Sequence, residues 1–475
     1  MKNGFVSRLH SRLGDLWWYA ILLFVAQRFG DVVNMVTGLW VVPKYVPMSE
    51  LGAVLPLMNA ASFVGLPLAI VSVPFMKFIA VFAEKGEYGK AKALIRDALV
   101  SSVIFSAIAA VFAWLLLPHF FERFRLSNGS LMLLIIAGTA LGAVASIFHN
   151  AVSALKMFSA SVWFSVVSAP FRLVLMLVFM PFRAVSGYVI AQNAAPIVTL
   201  AGSFALVAKW WRRTPAAQPY WAEYRSAIFR YTIPILMLTV VGNISGTLDS
   251  VVIRHRLSDF DSAGYYIITR FSEIAVFLGS AFSAFLFPML AGGNGTSDNV
   301  RKLTWQSLSG IFASGLVVVA ILALAGRRLL LLRGDWAVYA DFAPLMAVLA
   351  LSGIFMMASG CITSVFTARS CFSFLWWYLP VTLGKSVLLY FVTGYVYLKN
   401  CLPSAIYDEI SSFDPCRLSA VVVFMCAVNV LVGLVLVVSL LRSKTPLSVR
   451  RFPRMQSLWC GRMNMSTTSL PRSDG

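Results

Sequence analysis

Residues 242–256 read GNISGTLDSVVIRHR and place Asp249 within a run that otherwise suits the interior of a lipid bilayer. Moved back by 212 positions without a gap, this stretch overlies GDVVNMVTGLWVVPK at residues 30–44, so that Gly242 falls on Gly30. Further matches follow at nearly the same offset: Arg256 with Lys44, Asp261 with Ser49, Gly264 with Gly52, Pro288 with Pro74, and TSDNVRK (296–302) with EKGEYGKAK (84–92). The near-constant offset predicts an internal repeat that covers most of the chain.

The amino-acid composition excludes a water-soluble globule. Of the 475 residues, 59% are hydrophobic and only 12% are charged, and the mean hydropathy is +0.81. Apolar runs long enough to cross the roughly 30 Å hydrocarbon core of a bilayer recur along the chain. They lie near residues 16–42, 52–82, 98–121, 130–155, 158–181, 186–208, 227–253, 263–291, 306–326, 338–366, 373–398 and 417–441. Because the runs are continuous rather than alternating, they predict helices and not the strands of a barrel.

The predicted fold is therefore all-α, a polytopic membrane bundle of about 12 transmembrane helices in two six-helix lobes. The N-terminal lobe covers residues 1–208 and a cytoplasmic linker covers residues 209–226. The C-terminal lobe covers residues 227–441, and a basic cytoplasmic tail covers residues 442–475. Six spans per half give both repeats the same orientation, which relates them by an axis along the membrane normal.

The distribution of lysine and arginine predicts the orientation in the membrane. With the N-terminus inside, the inner segments hold 24 of these residues and the outer loops hold 11. Because basic residues are enriched in cytoplasmic loops, both termini are expected to face the cytoplasm. The net charge of +20 follows largely from this bias. No basic domain stands apart from the spans, so nucleic acid is not an expected partner.

Charged residues inside the predicted spans are the candidate functional groups, because they are costly in lipid and usually face a cavity or each other. They are Arg28, Asp31, Arg172, Asp249, Arg270, Glu273 and Lys385. Two of the basic residues, Arg28 and Arg270, stand three residues before an acid on the same helix. Each can therefore form an ion pair within its own helix, which would be a purely structural role. The alternative is a functional role, in which Arg28 and Arg270 bind substrate and Asp31 and Glu273 couple transport to an ion.

Arg172 and Lys385 have no acidic neighbour within one helical turn and occupy corresponding places in the two halves. They are predicted to face a phosphate or an acidic sugar, against the alternative of a salt bridge to another helix. Asp249 has two interpretations of equal weight. It pairs with Arg254 or Arg256 folded back from the end of the span, or it couples transport to an ion. Asn34 can line a substrate path, although a hydrogen bond between helices also accounts for such an amide.

Signals for catalysis are few. Asp259 and Asp261 match the D-x-D pattern that holds a metal and a nucleotide sugar in some glycosyltransferases. However, they stand in SDFDS at the entry to a span, where serine and aspartate cap a helix N-terminus. No metal-ligand or nucleophile spacing occurs elsewhere. The protein is therefore predicted to be no enzyme, with no catalytic residue, metal or cofactor.

Cys401 and Cys416 flank the long loop between the last two spans. This loop is predicted to lie outside, in an oxidising compartment where disulfides form. The pair is a disulfide candidate, and two free thiols at the membrane boundary are the alternative.

The stretch DSVVIRHRLSDFDSAGYY, residues 249–266, carries an acid late in a span, a short loop, and a small-Gly-aromatic entry into the next span. Together with FPML at residues 287–290 and the arrangement of spans, it resembles the multidrug/oligosaccharidyl-lipid/polysaccharide (MOP) flippase superfamily. Within that superfamily it looks most like the polysaccharide-transport, or O-antigen type, group. The resemblance covers roughly residues 16–441.

The resemblance implies a MATE-like, two-lobed bundle in the inner membrane of a bacterium. By alternating access it would move an isoprenoid-diphosphate-linked oligosaccharide to the outer leaflet, in the synthesis of O-antigen or exopolysaccharide. The expected partners are this substrate, membrane lipid and polysaccharide polymerase or assembly proteins. Two alternatives remain: an ion-coupled drug or cation antiporter of the same superfamily, and a membrane-embedded glycan polymerase or transferase.

Overall fold

The computed structural model describes residue 22, residues 25–123, 129–155, 157–284 and 297–368, residue 372, and residues 374–401 and 417–442. Within this part of the chain the structure is helical and contains no strand, which confirms the predicted fold class. Twelve long helices are described: α1 (25–45), α2 (Met48–Glu84), α3 (Tyr88–Arg123), α4 (Gly129–Ala154), α5 (Phe158–Ala194), α6 (Pro196–Arg213), α7 (Trp221–Arg256), α8 (Asp259–Ala284), α9 (Ser297–Leu331), α10 (Ala343–Ala368), α11 (Leu375–Cys401) and α12 (Arg417–Arg442).

Within the described residues the predicted spans fall on these helices, and the span predicted at 186–208 is divided between the last part of α5 and α6. Seven helical segments of the described chain are long and apolar enough to cross a membrane. One such segment, Ser159–Arg213, covers two predicted spans. It is not straight, because Ala184 adopts φ 42°, a value that side-chain-bearing residues rarely adopt. A β-carbon on Gly187 would lie 2.4 Å from the carbonyl oxygen of Phe179, so the chain turns back on itself at this point. The break predicted between residues 181 and 186 is therefore present.

Proline and glycine set several of the other helix ends. The backbone of α1 widens into a π-helical turn at Thr37–Val41, directly before Pro43, whose ring and missing N–H disfavour a regular helical turn. The helix ends at Val46, which is extended as expected for a residue that precedes a proline. At the end of α2, Gly86 adopts φ 73°, the left-handed conformation that glycine tolerates best.

Most helix contacts of the first half recur in the second; the packing of α4 on α5 is the exception. In the first half α2 packs on α3 and α4, α4 packs on α6, and α1 contacts α5. In the second half α8 packs on α9 and α10, α10 packs on α12, and α7 packs on α11. These are the contacts that a repeat of six helices predicts. The lobe and linker boundaries at residues 208, 226 and 441 stay predictions.

The two halves meet along α1 and α2 on one side and α7 and α8 on the other. Near the end where α2 begins, the hydroxyl of Ser262 donates a 2.9 Å hydrogen bond to the carbonyl of Gly52. The phenol of Tyr266 donates to the carbonyl of Gly38 at 3.0 Å. These two hydrogen bonds, from α8 to Gly52 on α2 and to Gly38 on α1, are here named the α2–α8 seal. The seal joins the halves at the end predicted to face outside.

The outward-facing side chains match a lipid environment. Along α3, Val103, Ile108, Val111 and Leu115 are each about half exposed or more, and no polar residue of the helix separates Ala107 from Leu117. An apolar surface of this length is unfavourable in water and favourable in a bilayer. Together with the seven spans, it describes a multi-pass membrane protein.

Candidate functional site

The charged residues predicted to lie inside the spans are carried by five helices. Arg28, Asp31 and Asn34 lie on α1, and Arg172 lies on α5. Arg270 and Glu273 lie on α8, Asp249 lies on α7 and Lys385 lies on α11. The structure brings them together as two groups, one around α1, α5 and α8 and the other between α7 and α11.

Both local ion pairs are formed. Nη1 of Arg28 lies 2.9 Å from Oδ2 of Asp31, and Nη1 of Arg270 lies 2.7 Å from Oε2 of Glu273. Arg28 does more than neutralise its neighbour, since it also donates to the hydroxyl of Ser280 on α8 at 2.6 Å. The guanidinium therefore ties α1 of the first half to α8 of the second half.

Arg172 has amide partners instead of an acid. Its guanidinium donates to Oδ1 of Asn34 on α1 and, at 3.4 Å, to Oε1 of Gln192 on the returning arm of α5. No carboxylate of the described chain lies within ion-pair distance of Arg172. Tyr188 is near enough to interact electrostatically with both Arg172 and Arg270. The charge of Arg172 is thus solvated by neutral groups and remains uncompensated.

Lys385 repeats this arrangement in the second half. The ammonium donates to Oδ1 of Asn429 on α12 at 2.9 Å and to the carbonyl of Ser245 on α7 at 3.3 Å. The side chain of Asn429 donates in turn to the hydroxyl of Ser352 on α10 at 2.6 Å. Lys385 is only 6% exposed, and among the residues described here no carboxylate lies within ion-pair distance of it.

The partners of the two basic residues also correspond. Arg172 on α5 reaches Asn34 on α1, and Lys385 on α11 reaches Ser245 on α7. The residue numbers differ by 213 for the basic pair and by 211 for their partners. Each half therefore places one cation of its fifth helix against the same level of its first helix.

Asp249 is held by the neighbouring helix. It accepts a 2.6 Å hydrogen bond from the phenol of Tyr265 on α8 and a 2.8 Å bond from the backbone N–H of Ser250. The alternative pairing with an arginine folded back from the helix end is wrong. Nη1 of Arg254 lies 2.8 Å from Asp259 instead, and Arg256 donates to the phenol of Tyr390 at 2.7 Å.

The D-x-D acids have structural partners. Asp259 pairs with Arg254. The backbone N–H of Asp261 donates to the hydroxyl of Ser258 at 3.1 Å, and that hydroxyl donates to the Asp261 carboxylate at 2.6 Å. This reciprocal arrangement caps the start of α8, as the sequence predicted. Within the described ranges no group of histidine, cysteine, aspartate and glutamate is suited to hold a metal.

Several polar residues of the site were missed from the sequence. Tyr188, Tyr265, Ser245 and Asn429 contact or lie near the predicted charges. Tyrosine and serine are common in membrane helices, so nothing in their spacing separated these four from packing residues. The buried thiols Cys361 and Cys426 are free. Cys416, the side chain of Cys401, the FPML stretch and residues 443–475 lie outside the described residues.

A second charged region lies outside the spans, where the start of α7 meets the turn between α2 and α3. Lys90 donates to Glu223 at 2.7 Å, and Lys85 donates to the phenol of Tyr224 at 3.1 Å. These bonds raise the pKa of both lysines and lower the pKa of the Glu223 carboxyl. Burial and the nearby carboxylate of Asp97 raise the pKa of the Tyr220 phenol. The contacts hold the start of α7 on the first half.

Comparison with solved structures identifies proteins of the same fold. The chain superposes on a MATE transporter of Vibrio cholerae with a TM-score of 0.61 and 16% identity, covering 92% of this chain and 97% of that one. An inward-facing multidrug resistance MATE transporter of the MOP superfamily gives 0.61 and 15%, covering 90% and 99%. A MOP superfamily transporter of Pyrococcus furiosus, described as having a binding pocket of reversed polarity, gives 0.58 and 16%, covering 93% and 99%.

No protein-family profile and no curated protein matches the chain. The similarity to the solved structures, at 15–16% identity, establishes the architecture and not the cargo. The chain therefore has the MATE-like fold found in transporters of the MOP superfamily.

Proposed function

We propose that the protein is an alternating-access transporter that moves an isoprenoid-diphosphate-linked oligosaccharide from the inner to the outer leaflet, in the synthesis of cell-surface polysaccharide. The observation that carries this proposal is the pair Arg172, which is partly buried, and Lys385, which is buried: each half holds one cation with no carboxylate of the described chain within ion-pair distance. Arg172 is held by neutral groups, and Lys385 has the carboxylate of Asp249 within electrostatic reach but beyond ion-pair distance. A cation in a span without an ion-pair partner is costly and is retained most readily where a ligand supplies the opposite charge. A diphosphate, or an acidic sugar, supplies it.

The contacts between the halves support alternating access. The α2–α8 seal closes the end predicted to face outside, while the hydrogen bond from Arg28 to Ser280 joins the halves farther along α1 and α8. Each contact is a small number of hydrogen bonds between rigid helices. Such contacts can break and reform as the halves rock about a central site.

The test is leaflet transfer of a lipid-linked oligosaccharide by the reconstituted protein. Arg172→Ala and Lys385→Ala each remove a charged hydrogen-bonding group worth about 1.5–3 kcal/mol, so transport should fall roughly 10- to 150-fold. The matched controls are Arg301→Ala and Lys302→Ala, because both side chains are exposed at the start of α9. Well-folded Arg172→Ala and Lys385→Ala proteins that transport as fast as their controls would exclude both residues from the path.

An ion-coupled drug or cation antiporter is the second candidate. The structural neighbours favour it, because they include MATE transporters, one of them described as a multidrug resistance transporter. The acids Asp31, Asp249 and Glu273 would then couple ion movement to export. Reconstituted vesicles with an imposed proton or sodium gradient separate the candidates. Uptake of an organic cation that is lost in Asp249→Asn and kept in Arg172→Ala would support the antiporter and oppose the flippase.

We further propose that the protein lies in a bacterial cytoplasmic membrane with both termini in the cytoplasm, where polymerase or assembly proteins would receive the exported glycan on the opposite side. The excess of basic residues on one side supports this orientation. Reporter fusions after residues 90 and 215 should report cytoplasm, and fusions near residues 125 and 257 should report the outside. The opposite result would reverse the orientation.

A further inference from the structure

The segment that connects the halves carries a concentrated positive charge. Between residues 209 and 230 the sequence KWWRRTPAAQPYWAEYRSAIFR holds five basic residues and one acid. The basic residues are Lys209, Arg212, Arg213, Arg225 and Arg230, here named the linker basic patch, and all five are exposed. The acid, Glu223, is already bound to Lys90 at 2.7 Å. In the part of the chain that the structure describes, no carboxylate lies within ion-pair distance of the patch.

The exposed face of α7 is basic and aromatic near the start of the helix and apolar farther along, where its exposed residues form an apolar stripe. Trp221 and Phe229 are 49% and 53% exposed, and their rings meet at 5.7 Å. Arg225 lies between them on the same face, because the three residues follow at intervals of four. Farther along this face the exposed residues are Ile233, Leu236 and Met237. The face therefore runs from basic and aromatic residues to purely apolar ones within about four helical turns.

This order of residue types along α7 matches the change in polarity across one lipid leaflet, from headgroups to acyl chains. Tryptophan and arginine are favoured at the level of lipid headgroups, and aliphatic side chains are favoured beside acyl chains. A soluble anion would use the cations alone and would leave the apolar stripe without a role. The linker basic patch also lies at the end that is predicted to face the cytoplasm, where the leaflet is rich in anionic lipid.

We propose that Arg225 and Arg230 bind the headgroup of an anionic phospholipid whose acyl chains lie along Ile233, Leu236 and Met237. Lys209, Arg212 and Arg213 add positive charge at the same end of the bundle, since the end of α6 and the start of α7 both bind lysines at the start of α3. The bound lipid holds the first helix of the second half at the membrane surface. This site is separate from Arg172 and Lys385 and does not depend on which cargo the protein carries.

The experiment measures binding of phosphatidylglycerol to the purified full chain in detergent by native mass spectrometry. Each basic residue near an anionic lipid strengthens binding about fivefold, so Arg225→Gln/Arg230→Gln should weaken binding roughly 25-fold. Arg225→Lys/Arg230→Lys keeps the charge and should retain most of the affinity. The matched control is Arg327→Gln/Arg328→Gln, since these arginines are also exposed and lie at the opposite end of the bundle.

Wild-type protein gives a readout that does not depend on folding of a variant. Raising sodium chloride from 0.1 M to 1 M shortens the Debye length from about 10 Å to about 3 Å, so phosphatidylglycerol should dissociate while phosphatidylcholine changes little. Equal affinity for the two lipids, or unchanged binding in Arg225→Gln/Arg230→Gln, would overturn the proposal. Complete displacement by an equal concentration of inorganic phosphate would also overturn it, because the apolar stripe would then contribute nothing.

Discussion

The phenol of Tyr265 on α8 donates a 2.6 Å hydrogen bond to the carboxylate of Asp249 on α7. The bond joins the first two helices of the second half, and Lys385 on α11 is near enough to interact electrostatically with the same carboxylate. A hydrogen bond to a charged acceptor contributes more to stability than a bond to a neutral one. Asp249 is therefore anchored by its tyrosine rather than by an arginine.

Tyr265→Phe should lower the free energy of unfolding by about 1.5–3 kcal/mol, because it removes the donor and leaves a carboxylate with one bond fewer. The control is Tyr266→Phe, whose phenol donates to the neutral carbonyl of Gly38 and should contribute only about 0.5–1.5 kcal/mol. Thermal unfolding in one detergent measures both. A larger loss for Tyr266→Phe would contradict an ionised Asp249.

Conservative exchanges at Arg172 and Lys385 should have different effects. Arg172→Lys keeps the charge but cannot reach Asn34 and Gln192 together, so it should fold normally and transport more slowly. Lys385→Arg inserts a larger group where the side chain is only 6% exposed, and the crowding should cost about 1–3 kcal/mol of stability. Folded protein level and transport are measured for each variant. Equal stability of Lys385→Arg and wild type would show that space exists beside Lys385.

Replacing Gly52 and Gly246 with alanine should change the stability of the protein in opposite directions. A β-carbon on Gly52 would lie 2.6 Å from the hydroxyl oxygen of Ser262 and 2.8 Å from the backbone nitrogen of Ala263, so Gly52→Ala should force the α2–α8 seal apart and destabilise the protein by about 1–3 kcal/mol. Gly246 has open space at this position. Gly246→Ala should be neutral or stabilise its helix by up to about 1 kcal/mol. Thermal unfolding of the two variants decides the comparison.

The contact between Lys90 and Glu223 should make stability depend on pH at acid values. The hydrogen bond from Lys90 lowers the pKa of Glu223 from its ordinary value of 4.5, so its contribution is fully present above that value and is lost as the pH falls through the lower folded pKa. The difference in melting temperature between wild type and Glu223→Gln should therefore shrink below about pH 4. Lys90→Gln should give the same pattern, and a constant difference at all pH values would contradict the ion pair.

A disulfide between Cys401 and Cys416 remains a prediction, since the connecting loop lies outside the described residues. A bridge that closes a loop of about 15 residues would contribute about 3 kcal/mol by loss of chain entropy in the unfolded state. Protein made in oxidising surroundings should resist alkylation at both thiols until it is reduced. The other four cysteines, Cys361, Cys371, Cys426 and Cys460, are replaced by alanine so that only the thiols of Cys401 and Cys416 are counted. Full alkylation before reduction would rule the disulfide out.

Local features of the chain were predictable because they depend on residues near one another in sequence. Apolar runs defined the spans, and the Ser258 to Asp261 spacing predicted the cap of α8. The i, i+3 spacing predicted the pair of Arg28 with Asp31, which a single helical turn is enough to form. The near-constant offset predicted that Arg172 and Lys385 would correspond, and both do reach the first helix of their own half.

What each buried charge contacts across helices was decided only by the tertiary structure. Asp249 had Arg254 and Arg256 close in sequence, yet it binds Tyr265 on the adjacent α8, while the two arginines bind Asp259 and Tyr390. Asn429 lies 44 positions after its partner Lys385, and no periodicity links two such residues. The sequence by itself determined which groups must be removed from lipid, since that cost depends on residue type. Their partners depend on how the helices pack, because a hydrogen bond requires the two side chains to meet within about 3 Å.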